Sequence, residues 1–266
     1  NDIFDRDYNK LPKIDMYIAG FPCQAFSLLG KREGFDDTLN RGIVFFACLK
    51  TIKKLKPDIF ILENVKGLLN HDDGKTFKLI IELLKKLKIY DINYKVLNTK
   101  DYGIPQNRER VFIIGLKKNK NNNFEFPNPI KLPIKVDDII CKNVTDKKYG
   151  KLTPHKKKIL FDLKKTKKIK TFANNWSINL NVSSHKRTSP MLDVSPCLLA
   201  GNGGDCIYYL SSIKRRYTPR EYLNLQGFGT DFKQVVSDSK MYKQVGNSMS
   251  VNVLAFLYLS ILKSLN

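Results

Sequence analysis

Three groups of residues have types and spacings that suit covalent chemistry. Cys23 lies in "GFPCQAFS" (20–27), and a thiolate in a suitable setting is a strong nucleophile. Glu63 opens "ENV" (63–65) and offers a carboxyl group that can deliver or accept a proton. "QNRERVF" (106–112) sets Gln106, Arg108 and Arg110 at alternate positions, and in a strand that spacing sends both arginines to one face, where guanidinium groups can stabilise developing negative charge. Each has an ordinary reading when taken alone. A lone cysteine is more often a small buried apolar residue, a glutamate is often just the first polar residue after a strand, and alternating arginines often form a surface ladder. The segment after Cys23 shifts that balance: Gly30, Gly34 and Gly42 alternate with Lys31, Arg32 and Arg41, which reads as a mobile basic loop able to reach phosphates beside the thiol.

These groups must be positioned by regular elements. "IDMYIAG" (14–20) and "PDIFILENV" (57–65) are apolar runs of strand length, while "RGIVFFACLKTIKKLK" (41–56) and "GKTFKLIIELLKKLK" (74–88) repeat apolar residues at helical spacing. The strand-like "YKVLNT" (94–99) and "RVFIIGL" (110–116) follow. The alternation predicts an open, mostly parallel α/β sheet with its ligand sites at the carboxyl ends of the strands, and both Cys23 and Glu63 fall at such ends. After Lys117 the chain turns polar and proline-broken, and lysines crowd 142–170. The expected organisation is a catalytic domain over 1–120, a smaller irregular domain over 121–235, and a C-terminal segment over 236–266 whose apolar helix "SVNVLAFLYLSILKSL" (250–265) returns to the first domain.

Composition sets the partners. The 266 residues carry 47 Lys and Arg against 25 Asp and Glu, a formal charge of +22, and such an excess suits a polyanion, with nucleic acid foremost. The competing reading is compositional bias, because Lys, Asn and Ile are all abundant. Five cysteines at 23, 48, 141, 197 and 206 form neither a disulfide framework nor a metal-binding spacing, so a reducing compartment and no metal are expected. No apolar stretch approaches a membrane span and no signal peptide is evident. The expected location is intracellular: the cytoplasm or nucleoid of a prokaryote, or the nucleus of a eukaryote.

In this order, "GFPCQAFS", "ENV", "QNRERVF", "RRYTPREYLNLQGF" (215–228) and "QVGNSMSVNV" (244–253) resemble the successive blocks of the cytosine-5 DNA methyltransferases, across nearly the whole chain. The resemblance implies a doubly wound, Rossmann-like S-adenosylmethionine-dependent methyltransferase sheet with a target-recognition domain. It implies that Cys23 adds to C6 of a cytosine flipped out of duplex DNA, that Glu63 protonates the N3 edge, that Arg110 holds the O2 oxygen, and that Arg108 and Gln106 support them. The cofactor would meet Asp2, Ile3, Pro22, Asn247 and Ser248. DNA would meet Gln24, Ser27, Lys31, Arg32, Arg41 and Gln106, and sequence readout would come from "NLNVSSHKRTSP" (179–190), with His185, Lys186 and Arg187, and from "AGNGGD" (200–205), with Gly203. Arg215, Arg216 and Arg220 read as structural or phosphate-binding rather than catalytic.

The front of the chain departs from the family pattern. The glycine-rich F-x-G-x-G turn and the acidic residue for the ribose are not present, which corresponds to roughly 50 to 70 residues, about two βα units. Three readings stand open: the segment precedes Asn1, it lies on a second polypeptide that partners this one, or the chain is an inactive DNA-binding remnant. The intact blocks favour the first two. A transfer-RNA cytosine-5 methyltransferase using the same Cys23 and Glu63 is a further alternative.

Overall fold

A computed structural model of the chain describes residues 3–22, 44–118, 123–131, 134–200 and 207–265. It divides into two compact units. Unit one comprises residues 1–97, 109–126 and 259–266, and unit two comprises 98–108 and 127–258.

Unit one is built around an apolar strand. After β1 (Met16–Gly20) and helix α1 (Val44–Leu55), β2 (Ile59–Val65) has six of its seven residues buried; a strand covered on both faces is written as a continuous apolar run. β1 lies parallel to β2, in register from Met16 opposite Ile59 to Gly20 opposite Glu63, the arrangement that requires a crossover such as α1 between the two strands. The apolar stripe of α1 buries Phe45, Cys48, Leu49 and Ile52. The helix stops where Lys56 turns left-handed at φ 47° with Pro57 next, a residue that cannot extend it. α2 (Lys75–Lys85) buries Phe77, Ile80, Ile81 and Leu84 in the same way. β3 (Tyr90–Asn98), the two-residue β4 (Gln106–Asn107) and β5 (Glu109–Lys117) follow, and the sheet of unit one has the order β1-β2-β5-β3.

The sheet differs from the expected one in direction, because β5 runs antiparallel to β2, with Glu63 opposite Phe112 and Val65 opposite Arg110. The chain between β3 and β5 contains no α-helix, and a short link without a crossover reverses the strand. The sheet is therefore mixed. Its core joins Phe45 and Ile52 to Phe60, Leu62, Ile80, Leu84, Val111 and Ile113. Phe60 sits opposite Gly115, and a Cβ at Gly115 would overlap the Phe60 ring. That ring is held edge-on to Tyr90 with centroids 5.0 Å apart, and the Tyr90 hydroxyl donates to the Pro57 carbonyl at 2.7 Å.

Unit two contains α3 (Pro154–Lys165), β6 (Trp176–Asn179), β7 (Met191–Leu192), β8 (Ser195–Pro196), β9 (Tyr208–Leu210), β10 (Arg215–Arg216), α4 (Pro219–Gln226) and α5 (Asp238–Asn247), and α6 (Val251–Leu265) runs on from it. An antiparallel sheet has the order β10-β9-β6-β7, and β4 pairs with β8. Ile159 and Leu163 of α3 pack with Ile178, Leu180, Ile207 and Tyr209. A second core gathers Tyr208, Tyr217, Tyr222, Leu225, Tyr242 and Val245. α4 begins with Thr218 and Glu221 capping each other's backbone N–H and with Pro219 in the first turn, and it ends at Gly227 in the left-handed region at φ 84°, which glycine adopts without strain. Glu221 is fully buried, so it needs strong partners: both guanidinium nitrogens of Arg215, at 2.8 and 2.6 Å, and the Cys141 N–H at 2.9 Å. Arg220 bonds the Phe228 and Phe232 carbonyls. The arginine-rich block is thus the scaffold of α4. The apolar run expected as a helix over 250–265 forms α6, separated from α5 by residues 248–250; it has 15 residues and rises about 22 Å, short of the ~30 Å hydrocarbon core of a bilayer.

Gly115→Ala should destabilise the protein by about 1–3 kcal/mol, the usual range for overpacking a filled core, because the Phe60 ring is fixed from behind. Urea unfolding of the two proteins gives the difference directly, and an unchanged midpoint would mean that the ring can move aside.

Candidate active site

At the carboxyl end of β1, Phe21 is 5% exposed and its N–H donates to the Glu63 carbonyl at 3.4 Å, which extends the β1–β2 pairing past the strand end. The Asn64 side-chain amide donates to the Phe21 carbonyl at 2.7 Å, while its Oδ1 accepts the N–H of Val65 at 2.8 Å. Asn64 is 3% exposed, so both bonds are made away from water, where an unmade bond is most costly. "ENV" is thereby tied to the backbone two residues before Cys23. Pro22 is exposed. Cys23 lies outside the described residues, as do Asp2, Gln24, Ser27, Lys31, Arg32, Arg41 and Gly203.

Glu63 is 8% exposed, and Arg110 Nε approaches its Oε1 at 3.1 Å, with the two side chains 11% and 14% exposed. A carboxylate and a guanidinium placed together this deeply offset each other's loss of water. The Arg110 Nη1 donates to the Glu109 carbonyl at 2.8 Å, and Lys66 pairs with Glu109 at 2.9 Å. The strand register that sets Val65 opposite Arg110 delivers this pair.

Arg108 goes elsewhere. It falls between β4 and β5, where the strand is interrupted, so the two-residue alternation expected to send it to the face of Arg110 does not carry across. Arg108 belongs to unit two and is 2% exposed. Its guanidinium donates to the carbonyls of Leu198 at 2.9 Å, Gly246 at 3.2 Å and Ser248 at 2.7 Å. Gln106 is completely buried: its amide donates to the Leu225 carbonyl at 2.6 Å and accepts the Leu198 N–H at 3.0 Å. A side chain without exposed surface has none to offer a base edge, so Gln106 fastens β4 and the end of α4 together, a task for which its polar type alone gave no signal. Gln226, also fully buried, donates to the Val245 carbonyl at 2.9 Å and completes the set.

These bonds shape the turn after α5. A Cβ at Gly246 would meet the Leu199 and Ala200 backbone at 2.5 Å, so only glycine fits. Asn247 is exposed, and Ser248 is half-buried with its hydroxyl donating to the Val245 carbonyl at 2.7 Å. His185, Lys186 and Arg187 form a short 3-10 turn; Lys186 and Arg187 are exposed, and His185 Nδ1 lies 3.4 Å from Asp162.

The sequence profile of the C-5 cytosine-specific DNA methylases matches residues 1–263. The chain belongs to that family. The type II methyltransferase M.SsoII of Shigella sonnei is 38% identical over 269 residues, covering 100% of this chain and 68% of that enzyme. M.NgoBI of Neisseria gonorrhoeae is 40% identical over 256 residues, covering 95% of this chain and 75% of its own length. The crystal structure of a DNMT2 mutant from Spodoptera frugiperda aligns with a TM-score of 0.62 at 21% identity, over 98% of this chain and 84% of that one, a likeness of fold. The protein is a DNA cytosine-5 methyltransferase with the Rossmann-like α/β fold of S-adenosylmethionine-dependent methyltransferases.

The residues expected at the cofactor suit it in kind. Ile3 is half-buried against the unit-one core, an aliphatic surface of the sort that packs on a purine. Asn247 keeps its amide at the surface of unit two, where it can hydrogen-bond a charged amino-acid moiety.

Two substitutions separate anchoring from scaffolding. Asn64→Ala should lower methyl transfer by tenfold or more, since misplacing a reacting group by about 1 Å costs on the order of 100-fold, with duplex affinity nearly unchanged; single-turnover assays and titration measure the two. Arg108→Ala removes the donor from the buried Leu198 and Gly246 carbonyls and should destabilise the protein by about 1–3 kcal/mol for each of them, and Arg108→Lys should not rescue it, because an ammonium cannot span them. Thermal unfolding of both variants checks this, and an Arg108→Lys protein as stable as the parent would refute it.

Proposed function

We propose that the protein methylates C5 of a cytosine flipped out of duplex DNA through a covalent Cys23 adduct, as the modification partner of a type II restriction system. The observation that carries this reading is the bond from Asn64 to the Phe21 carbonyl, which fastens the carboxylate-bearing "ENV" to the strand end leading to Cys23. The type II methyltransferases similar to this chain support the restriction–modification role.

Carbon 5 of cytosine is a poor nucleophile, so the ring must be activated. The Cys23 thiolate forms a bond to C6, and the electron pair displaced from the C5–C6 double bond moves toward C5 and the N3–C4 edge. The Glu63 carboxyl group, having taken a proton from solvent before the ring is attacked, passes it to N3 as that charge builds and is left as the carboxylate that faces Arg110, while Arg110 offers a fixed cation to O2. S-adenosylmethionine, when bound, supplies the electrophilic methyl group that C5 takes up. Solvent takes the C5 proton, the electron pair of that C–H bond restores the C5–C6 double bond as the Sγ–C6 bond breaks to release the Cys23 thiolate, and the N3 proton returns to Glu63. Ile3, Pro22, Asn247 and Ser248 are the described residues assigned to hold the cofactor, with Asp2 beside them in sequence. The basic segment 24–41, with Gln24, Ser27, Lys31, Arg32 and Arg41, would close over the flipped base, and His185, Lys186, Arg187 and Gly203 would read the flanking sequence.

A duplex carrying 5-fluorocytosine at the target should trap the protein, because fluorine cannot leave C5 as a proton does. Mass spectrometry should place the adduct on Cys23, and Cys23→Ser should give neither adduct nor methyl transfer while retaining duplex binding. An adduct at another residue, or substantial turnover by Cys23→Ser, would overturn the scheme.

A further inference from the structure

Unit two carries a charged surface to which the chemistry above assigns no task. Between residues 147 and 170 stand eleven lysines and a single acid, Asp162. Helix α3 organises much of this charge. Its inward side is Ile159 and Leu163, 2% and 0% exposed, packed with Ile178, Leu180 and Ile207. At about 100° per residue, Phe161 falls opposite that pair, and it is 66% exposed. Residues three and four positions away are neighbours on a helix surface. For Phe161 these are Lys157, Lys158, Lys164 and Lys165, all exposed, so an outward phenyl ring is framed by four ammonium groups. Asp162 does not neutralise the frame, since it faces His185 at 3.4 Å. Lys168 donates to the His185 carbonyl at 3.3 Å, which joins the helix to the turn that exposes Lys186 and Arg187.

We propose that the outer face of α3 is a second DNA-contact surface that grips the phosphate backbone of duplex DNA without reading its sequence, with the Phe161 ring packed on deoxyribose between the phosphates. Crowded like charges repel one another, and a polyanion relieves that repulsion while releasing its own counterions. A second copy of the chain would set lysines against lysines. A membrane-surface helix lays its apolar face into lipid, and the apolar face of α3 is already buried in unit two. The inference rests on the proposed function only for the choice of DNA as the polyanion.

The test uses an alternating adenine–thymine duplex, which contains no cytosine, so that binding is read apart from methylation. The variant carrying Lys157→Gln, Lys158→Gln, Lys164→Gln and Lys165→Gln together should bind it at least tenfold more weakly near 0.1 M salt. Its plot of log affinity against log salt should be shallower by about 3–4, the value for four lost phosphate contacts. Phe161→Ala should weaken binding about threefold or more with the slope unchanged. Circular dichroism checks that both variants fold. Cys23→Ser should bind this duplex as the parent does, so a failure of the covalent chemistry leaves this test standing. A slope unchanged by the quadruple substitution would overturn the proposal, and so would a loss confined to single-stranded DNA or to phosphatidylglycerol vesicles with duplex binding intact.

Discussion

A loop that leaves the end of a strand is only as well placed as the last atom that holds it. Here, among the described residues, that atom is the Phe21 carbonyl oxygen, fixed by the Asn64 amide at 2.7 Å in a site closed to water. Because Asn64 also binds the next N–H of its own strand, its amide plane is set at both ends and cannot rotate. The β1–β2 register that puts Gly20 opposite Glu63 brings the two segments to the same level, and the antiparallel β5 adds Arg110 two residue pairs further on. A proposed acid, a cation and the approach to a proposed nucleophile thus share one sheet edge as a consequence of strand pairing.

The two arginines of "QNRER" show how position decides what a charge does. Arg110, within a strand, meets a carboxylate. Arg108, two residues earlier, meets three backbone carbonyls. A buried guanidinium must find acceptors for its donors, and the turn at 246–248 supplies two of them. Gly246, which admits no side chain, and Gln226, which holds the Val245 carbonyl, fix the same turn from other sides. The exposed Asn247 is therefore presented by a rigid frame.

What could be read in advance follows from which signals are local. The apolar runs of β1 and β2, the apolar stripes of α1, α2 and α6, and the meeting of Phe21 with "ENV" at neighbouring strand ends all follow from periodicity and strand order. The direction of β5 did not follow from periodicity, because a strand pattern looks the same either way and only the missing crossover helix tells. Gln106 looked available to DNA because its polar type is visible in sequence and its complete burial is not. The separation of Arg108 from Arg110 was hidden by a one-residue break between β4 and β5, after which the two-residue period no longer applies. Asn64 was legible as part of a motif, while its bond across 43 residues was not.

The Arg108 contacts also bear on how the protein is made. Its partners lie 90, 138 and 140 residues later in the chain. At synthesis rates of about 5–20 residues per second, this arginine emerges roughly 7 to 30 s before the turn that receives it. Through that interval β4 lacks the contacts that bury Arg108, and the closing of these distant contacts is the slow kind of step in folding. Vectorial synthesis therefore delivers the first sheet early and leaves unit two open until residues 246–248 have been added, so the burial of Arg108 waits on a turn made some 140 residues after it.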